Sequence, residues 1–175
     1  ASAKIAGLLG CRAYNTQSGT NRFIALVPCT LYGPHDSFDP EHSHVLSALI
    51  RRFHEAHLSN APAVTLWGSG APRREFLHVD DLAEALLFLM QNYSDTSQVN
   101  VGLGHDLTIR ELAETVKNVV GFDGELIFDR GQPDGTPRKL VDTSLINRLG
   151  WQARIPLLDG LSSTYEWFVE HADRL

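Results

Sequence analysis

Cysteine is scarce here: Cys11 and Cys29 are the only two in 175 residues. Two cysteines make no disulfide framework in a chain of this length, and their spacing fits no zinc knuckle. No long uncharged apolar run occurs, and no basic stretch precedes an apolar one, so neither a membrane span nor a secretory leader is expected and the protein reads as soluble and cytoplasmic. Basic charge is in short supply as well, with 15 Lys and Arg against 21 Asp and Glu and a net charge of −6. That balance argues against a general nucleic-acid surface. It leaves room for a small anion, which a few placed arginines can hold. Repeats, low-complexity tracts and linkers are also missing.

What is present is globular composition, 43% hydrophobic and 21% charged, enough to bury a core in one domain or a piece of a larger one. The elements alternate. A helix is expected over 2–18, with Ile5, Leu8, Leu9 and Ala13 on one face and Gly19 as its stop. FIALVPC (23–29) is a continuous apolar run, the pattern of a strand covered on both faces of a mainly parallel sheet. TLYGPHDSFDPEHS follows as a loop. A helix over 44–58 carries Leu46, Leu49, Ile50 and Phe53 as its core stripe. Strands at 64–68 and 75–79 flank GSGAPRR, and Asp80, with Asp81 beside it, is expected to cap a helix over 81–93. Further on come a strand at 99–102, a capping box from Thr108 to Glu111 opening a helix over 109–120, and a strand at 125–129. The polar loop GQPDGTPRK leads to a short helix at 143–149 and an amphipathic helix over 156–172 with Pro156 in its first turn. Strands alternating with helices make the fold class α/β. An apolar strand at 23–29 without neighbours would be an aggregation edge, so the chain is expected to borrow strands or to be part of a longer one.

Several short motifs occur in a fixed order: KIAG, LYGPHD, HSHV followed by RR, WGSG-x-P-x-REFLHVDD and QPDGTPRK. LYGP and FLHVDD are common among reductases of nucleotide sugars, whereas HSHV, WGSG, P-x-REF and PDGTPRK together are much narrower. The set resembles the GDP-L-fucose synthase family of extended short-chain dehydrogenases/reductases, over essentially all of 1–175. The resemblance implies an extended Rossmann-type reductase in its C-terminal part, with residues 1–32 belonging to the dinucleotide-binding domain and 33–175 mainly to the substrate domain. It implies C3/C5 epimerisation of GDP-4-keto-6-deoxy-D-mannose and C4 reduction with NADPH, hence NADP(H) as cofactor, a GDP-sugar as partner and a homodimer built on helices that include the first.

Residue by residue, the family pattern Y-x-x-x-K puts its Lys at Lys4 and its Tyr one position before Ala1, so the opening is expected to be a truncation and the chain alone inactive. A nearby cation lowers a tyrosine's pKa, which suits proton donation to a developing alkoxide. Lys4 would also hold the cofactor ribose. His44 matches the family's general acid for epimerisation and lies beside the cofactor. It follows Ser43, a helix cap by residue type, and the dipole at a helix N-terminus disfavours a charged ring. Thr30 and Leu31 match cofactor contacts, although Thr30 stands where the family carries Asn and can replace only one of the amide's hydrogen bonds. Arg52, Arg74 and Lys139 match substrate-contacting positions, in keeping with a guanidinium's bidentate grip on phosphate. Trp67 matches a residue packed against the nucleotide sugar.

Other residues receive plainer readings. Arg51 and Arg73 are expected to be solvated charges, and His54, His57, His78, His105 and His171 surface or packing residues. Cys11 reads as a packed helix residue and Cys29 as a strand end. His35, Asp36, Asp39, His42 and His44 match no common ligand spacing, so no metal is expected. Two alternatives stay open: another nucleotide-sugar epimerase or reductase, and a binding module that captures GDP-sugars without turning them over.

Overall fold

Two short strands, β2 (Thr30–Tyr32) and β5 (Phe76–His78), pair in parallel between two hydrophobic cores. Successive residues of a strand face opposite ways. Tyr32 and Phe76 therefore enter one core, and Leu31 and Leu77 the other. The computed structural model describes residues 2–174.

The remaining elements, in chain order, are α1 (Ser2–Ser18), β1 (Leu26–Pro28), α2 (Val45–Leu58), β3 (Ala63–Trp67), β4 (Arg73–Arg74), α3 (Val79–Asn92), β6 (Val99–Val101), β7 (Leu107–Thr108), α4 (Ile109–Val120), β8 (Glu125–Asp129), β9 (Arg138–Lys139), α5 (Ser144–Leu149) and α6 (Leu157–His171), closed by a 3₁₀ turn at Ala172–Arg174. Parallel ladders join β1 to β6 and β3 to β8. β4 pairs antiparallel with β7 and parallel with β9. The α/β class and the mainly parallel pairing match the sequence reading.

The first core packs α2, α4 and α6 against β3 and β8, with Leu46, Leu49, Ile50 and Phe53 buried as their spacing predicts. The second gathers Leu77, Ala85, Leu89, Val99, Val101, Ile146 and Trp151. The capping box is present in full: Thr108 Oγ1 accepts from the Glu111 N–H and the Glu111 carboxylate accepts from the Thr108 N–H.

Several expectations are corrected. The strand expected from residue 23 begins at Leu26, because the Asn15 side chain takes both main-chain groups of Phe23, at 3.0 and 2.8 Å. The loop expected from Thr30 begins instead with β2, whose partner β5 lies more than forty residues on. The expected core face of α1 is largely open: Ile5 and Leu9 are exposed, and Asn15 is the helix's one buried residue. Asp80 does not cap α3. His78 does, its Nδ1 accepting from the Asp80 N–H at 3.3 Å, while its Nε2 is buried without a partner. Asp81 is buried too, its carboxylate accepting from the N–H groups of Arg154 and Ile155 on the approach to α6. Pro156 is the residue before α6, not within its first turn. Ser43 is not a cap; His44 holds that position. Arg73 is no solvated charge, as the ion pairs below make plain.

Candidate functional site

A cavity of about 930 Å³ opens at the C-terminal end of β2. That is where an open parallel sheet presents strand ends and loops to a ligand. Its lining is drawn from residues 28–36, from Glu75 and Val79 on either side of β5, from His44 and from residues 139–141. The fold thus brings Thr30, Leu31, His44 and Lys139 into one lining. Lys4, Arg52, Trp67 and Arg74 are outside that lining. Lys4 and Arg52 are exposed on α1 and α2, Trp67 is 72% exposed at the end of β3, and Arg74 stands in register with Lys139.

His44 occupies the N-cap of α2 with extended backbone and no side-chain cap bond. Its exposed ring therefore sits at the positive end of the helix and faces the cavity. The loop before it is fixed by Asp36, which accepts from the Ser37 N–H at 2.8 Å and from the Ser47 hydroxyl on α2. Gly33 permits the sharp exit from β2: its φ is +152°, and a Cβ there would run into Val79 at 2.6 Å. Tyr32 is buried, and burial with Asp81 and Asp159 nearby pushes its phenol well above the usual range, so it stays protonated. Burial and the Glu75 charge push the Cys29 thiol up to about 12, which keeps it from acting as a thiolate at neutral pH.

Two acidic residues carry structure to which the sequence reading assigns no role. Glu75 is 1% exposed and lines the cavity. Its Oε1 accepts from the Gly104 N–H at 2.7 Å and its Oε2 from the Val141 N–H at 3.0 Å. It buckles the segments after β6 and β9 onto β5, and a Cβ on Gly102 would strike it. The signal was a carboxylate heading an apolar run, EFLHV. Asp106 is the other. Its side chain is 3% exposed, its Oδ1 accepts from Arg73 Nε at 2.6 Å, and its Oδ2 from Arg138 Nε at 2.5 Å. Those two arginines hold its carboxyl below the usual range, Arg138 contributing most. Nothing local in the sequence pointed to it. Arg74 is oriented by Nη1 bonds to the carbonyls of Arg73 at 2.7 Å and Thr136 at 2.6 Å.

Parallel ladders that feed a cavity at their carboxyl ends, with helices packed outside them, define a Rossmann-type α/β protein. Residues 1–102 match the NAD dependent epimerase/dehydratase family, and the chain belongs to it. Among curated relatives it is 58% identical over 171 residues to "Probable GDP-L-fucose synthase 1" of Oryza sativa subsp. japonica, covering 98% of this chain and 52% of that protein. It is 51% identical over 183 residues to the GDP-L-fucose synthase of Escherichia coli K12, covering 99% of this chain and 57% of that one. A solved gdp-l-fucose synthetase from Naegleria fowleri bound to NADP superposes with a TM-score of 0.88 at 28% identity, over 95% of this chain and 54% of its own. The chain spans about half the length of the relatives it matches.

Proposed function

We propose that this chain supplies the nucleotide-sugar half of a GDP-L-fucose synthase, with residues 1–32 on the cofactor side and 33–175 mainly on the sugar side. The full enzyme converts GDP-4-keto-6-deoxy-D-mannose to GDP-L-fucose by epimerising C3 and C5 and then reducing C4. The names and identities of its relatives support the activity. The observation that carries the reading is that Thr30, Leu31, His44 and Lys139 line one and the same cavity.

The substrate's 4-keto group makes the neighbouring C–H bonds acidic. After a base takes the C3 or C5 proton, His44 returns one from a ring nitrogen to the opposite face of the enolate carbon. Lys139, Arg74 and Arg52 hold the diphosphate, and Trp67 packs against the nucleotide. The lining also suits the nicotinamide end of NADP(H): Thr30 and His44 offer polar hydrogens, and Leu31 and Val79 an apolar wall. When bound, NADPH supplies the hydride for C4. Lys4 holds the ribose and, in the Y-x-x-x-K arrangement, lowers the pKa of the tyrosine that protonates the alkoxide. A homodimer built on α1 fits the apolar residues which that helix exposes, Ile5 and Leu9. The enzyme works in the cytoplasm on this reading; among the described residues no helix is long and apolar enough to cross a membrane.

The test is His44→Ala in the full-length enzyme, run in deuterated water. Deuterium should cease to enter C3 and C5 while GDP-sugar binding persists. Incorporation at the native rate would remove His44 from the mechanism.

A further inference from the structure

The ladder between β4 and β9 pairs Arg73 with Arg138 and Arg74 with Lys139. Neighbouring residues along a strand alternate between its faces, so the ladder sorts four cations into two pairs. Arg73 and Arg138 turn to the same carboxylate, that of Asp106, each by its Nε. Arg73 is held a second time, its Nη2 donating to the Asp106 carbonyl at 2.8 Å. Arg74 and Lys139 make up the other pair, with Lys139 in the cavity lining.

We infer that Asp106 is a positioning residue for the diphosphate of the nucleotide sugar, acting through the register of β4 on β9. The inference rests on the nucleotide-sugar reading above. The ladder is only two residues long on each strand, so its own hydrogen bonds fix the register weakly. β9 also belongs to a stretch, residues 131–140, in which every residue is exposed and no apolar side chain is buried to anchor it. Contacts outside the ladder flank β9, Ser69 with Asp134 before it and Glu75 with Val141 after it; within the ladder, Asp106 joins the two strands. One carboxylate bonded to both arginines of one register pair holds the next pair, Arg74 and Lys139, side by side. A slip of one residue would put Lys139 opposite Arg73 and turn its ammonium away from the cavity. Asp106 lies at the entry to β7, the strand on the other edge of β4, and so clamps the three-stranded sheet across its width. The arrangement also avoids a cost. Four cations on two adjacent dipeptides repel one another, and the shared carboxylate removes the repulsion on one face while leaving the other face positive for an anion.

The test is a cycle of variants titrated with GDP by calorimetry. Asp106→Asn keeps the shape but is a poor acceptor for two guanidinium groups. It should weaken GDP binding about tenfold, the scale of one weakened hydrogen bond to a charged group. Arg138→Gln, a change at an exposed side chain, should weaken binding in the same direction and decides the matter if the Asp106 variant does not fold. Each substitution is then repeated where Arg74 and Lys139 are already Gln. If Asp106 works through that pair, its effect falls there to less than about twofold, because coupled residues do not add. An equal loss in both backgrounds would mean general structural damage, or direct contact by Arg138, and overturns the inference. So does unchanged binding in the native background. Failure of the unsubstituted protein to bind GDP at all is a different result: it removes the nucleotide-sugar reading and the positioning role together.

Discussion

Ser69 engages both carboxylate oxygens of Asp134, its N–H donating to Oδ1 at 2.8 Å and its hydroxyl to Oδ2 at 2.7 Å. The contact ties the W-G-S-G turn after β3 to the P-D-G-T turn before β9, sixty-five positions along the chain. Two motifs that look independent in the sequence are one latch in the fold. Asp134→Ala should release the second turn, seen as faster amide exchange at Gly135 and Thr136 and a few-fold weaker grip on GDP. The Ser69 bonds hold the Asp134 carboxyl below the usual carboxylate range. The unfolded chain therefore takes up that proton first on acidification, so the latch contributes at neutral pH and its contribution is lost as pH falls below about 4. Exchange at Gly135 that is unaltered by the substitution would show that the latch does not hold the turn.

Asp81 should matter more to stability than to the ligand. Its buried carboxylate accepts two backbone amides, at 3.1 Å from Arg154 and 3.0 Å from Ile155. An Asn side chain has one acceptor oxygen, and its NH₂ would face an N–H. Asp81→Asn is expected to lose about 1–3 kcal/mol in denaturant unfolding, the cost of a buried group left unmatched. A change within error would show that water reaches the site.

These residues also mark what could be read from the sequence. The stripe from Leu46 to Phe53 and the box from Thr108 to Glu111 were legible because their partners lie within a turn or two on the same helix. Asp81 was misread because an Asp at a strand–helix junction looks like a cap, while its true partners come more than seventy residues later. β2 was missed because the polar, Pro-containing run after it masked three residues whose strand character depends on β5. β7 and β9 have two residues each, too few for any periodicity. Thr30, Leu31, His44 and Lys139 could be gathered into one site only through their resemblance to a family, since the residues between them follow no common spacing.

Cys29 should be a slow thiol. Its value of about 12, against an ordinary 9.0, leaves roughly a thousandfold less thiolate than a free cysteine near neutral pH. Alkylation at pH 8 is therefore expected to be far slower at Cys29 in the native protein than in the same chain in denaturant. The same shift has a sign for stability. Above pH 9 the unfolded thiol ionises while the native one does not, so stability falls as pH rises from about 9 toward 12. Equal alkylation rates in both states would refute the shift.

The 175 residues contain no G-x-G-x-x-G run, the loop that cradles a dinucleotide's pyrophosphate. Incubated by itself with NADPH and the 4-keto sugar nucleotide, the chain is expected to leave NADPH unoxidised. Steady oxidation would show that these residues suffice for hydride transfer.

The most direct measurement is a calorimetric titration of this protein with GDP-L-fucose, with UDP-glucose as the comparison, repeated on Lys139→Ala. Saturable binding is expected, with a clear preference for the guanosine ligand and a roughly 10- to 150-fold loss in the variant, the range of a hydrogen bond to a charged group. Equal affinity for both nucleotides, or a dissociation constant that Lys139→Ala leaves unchanged, would contradict the nucleotide-sugar reading.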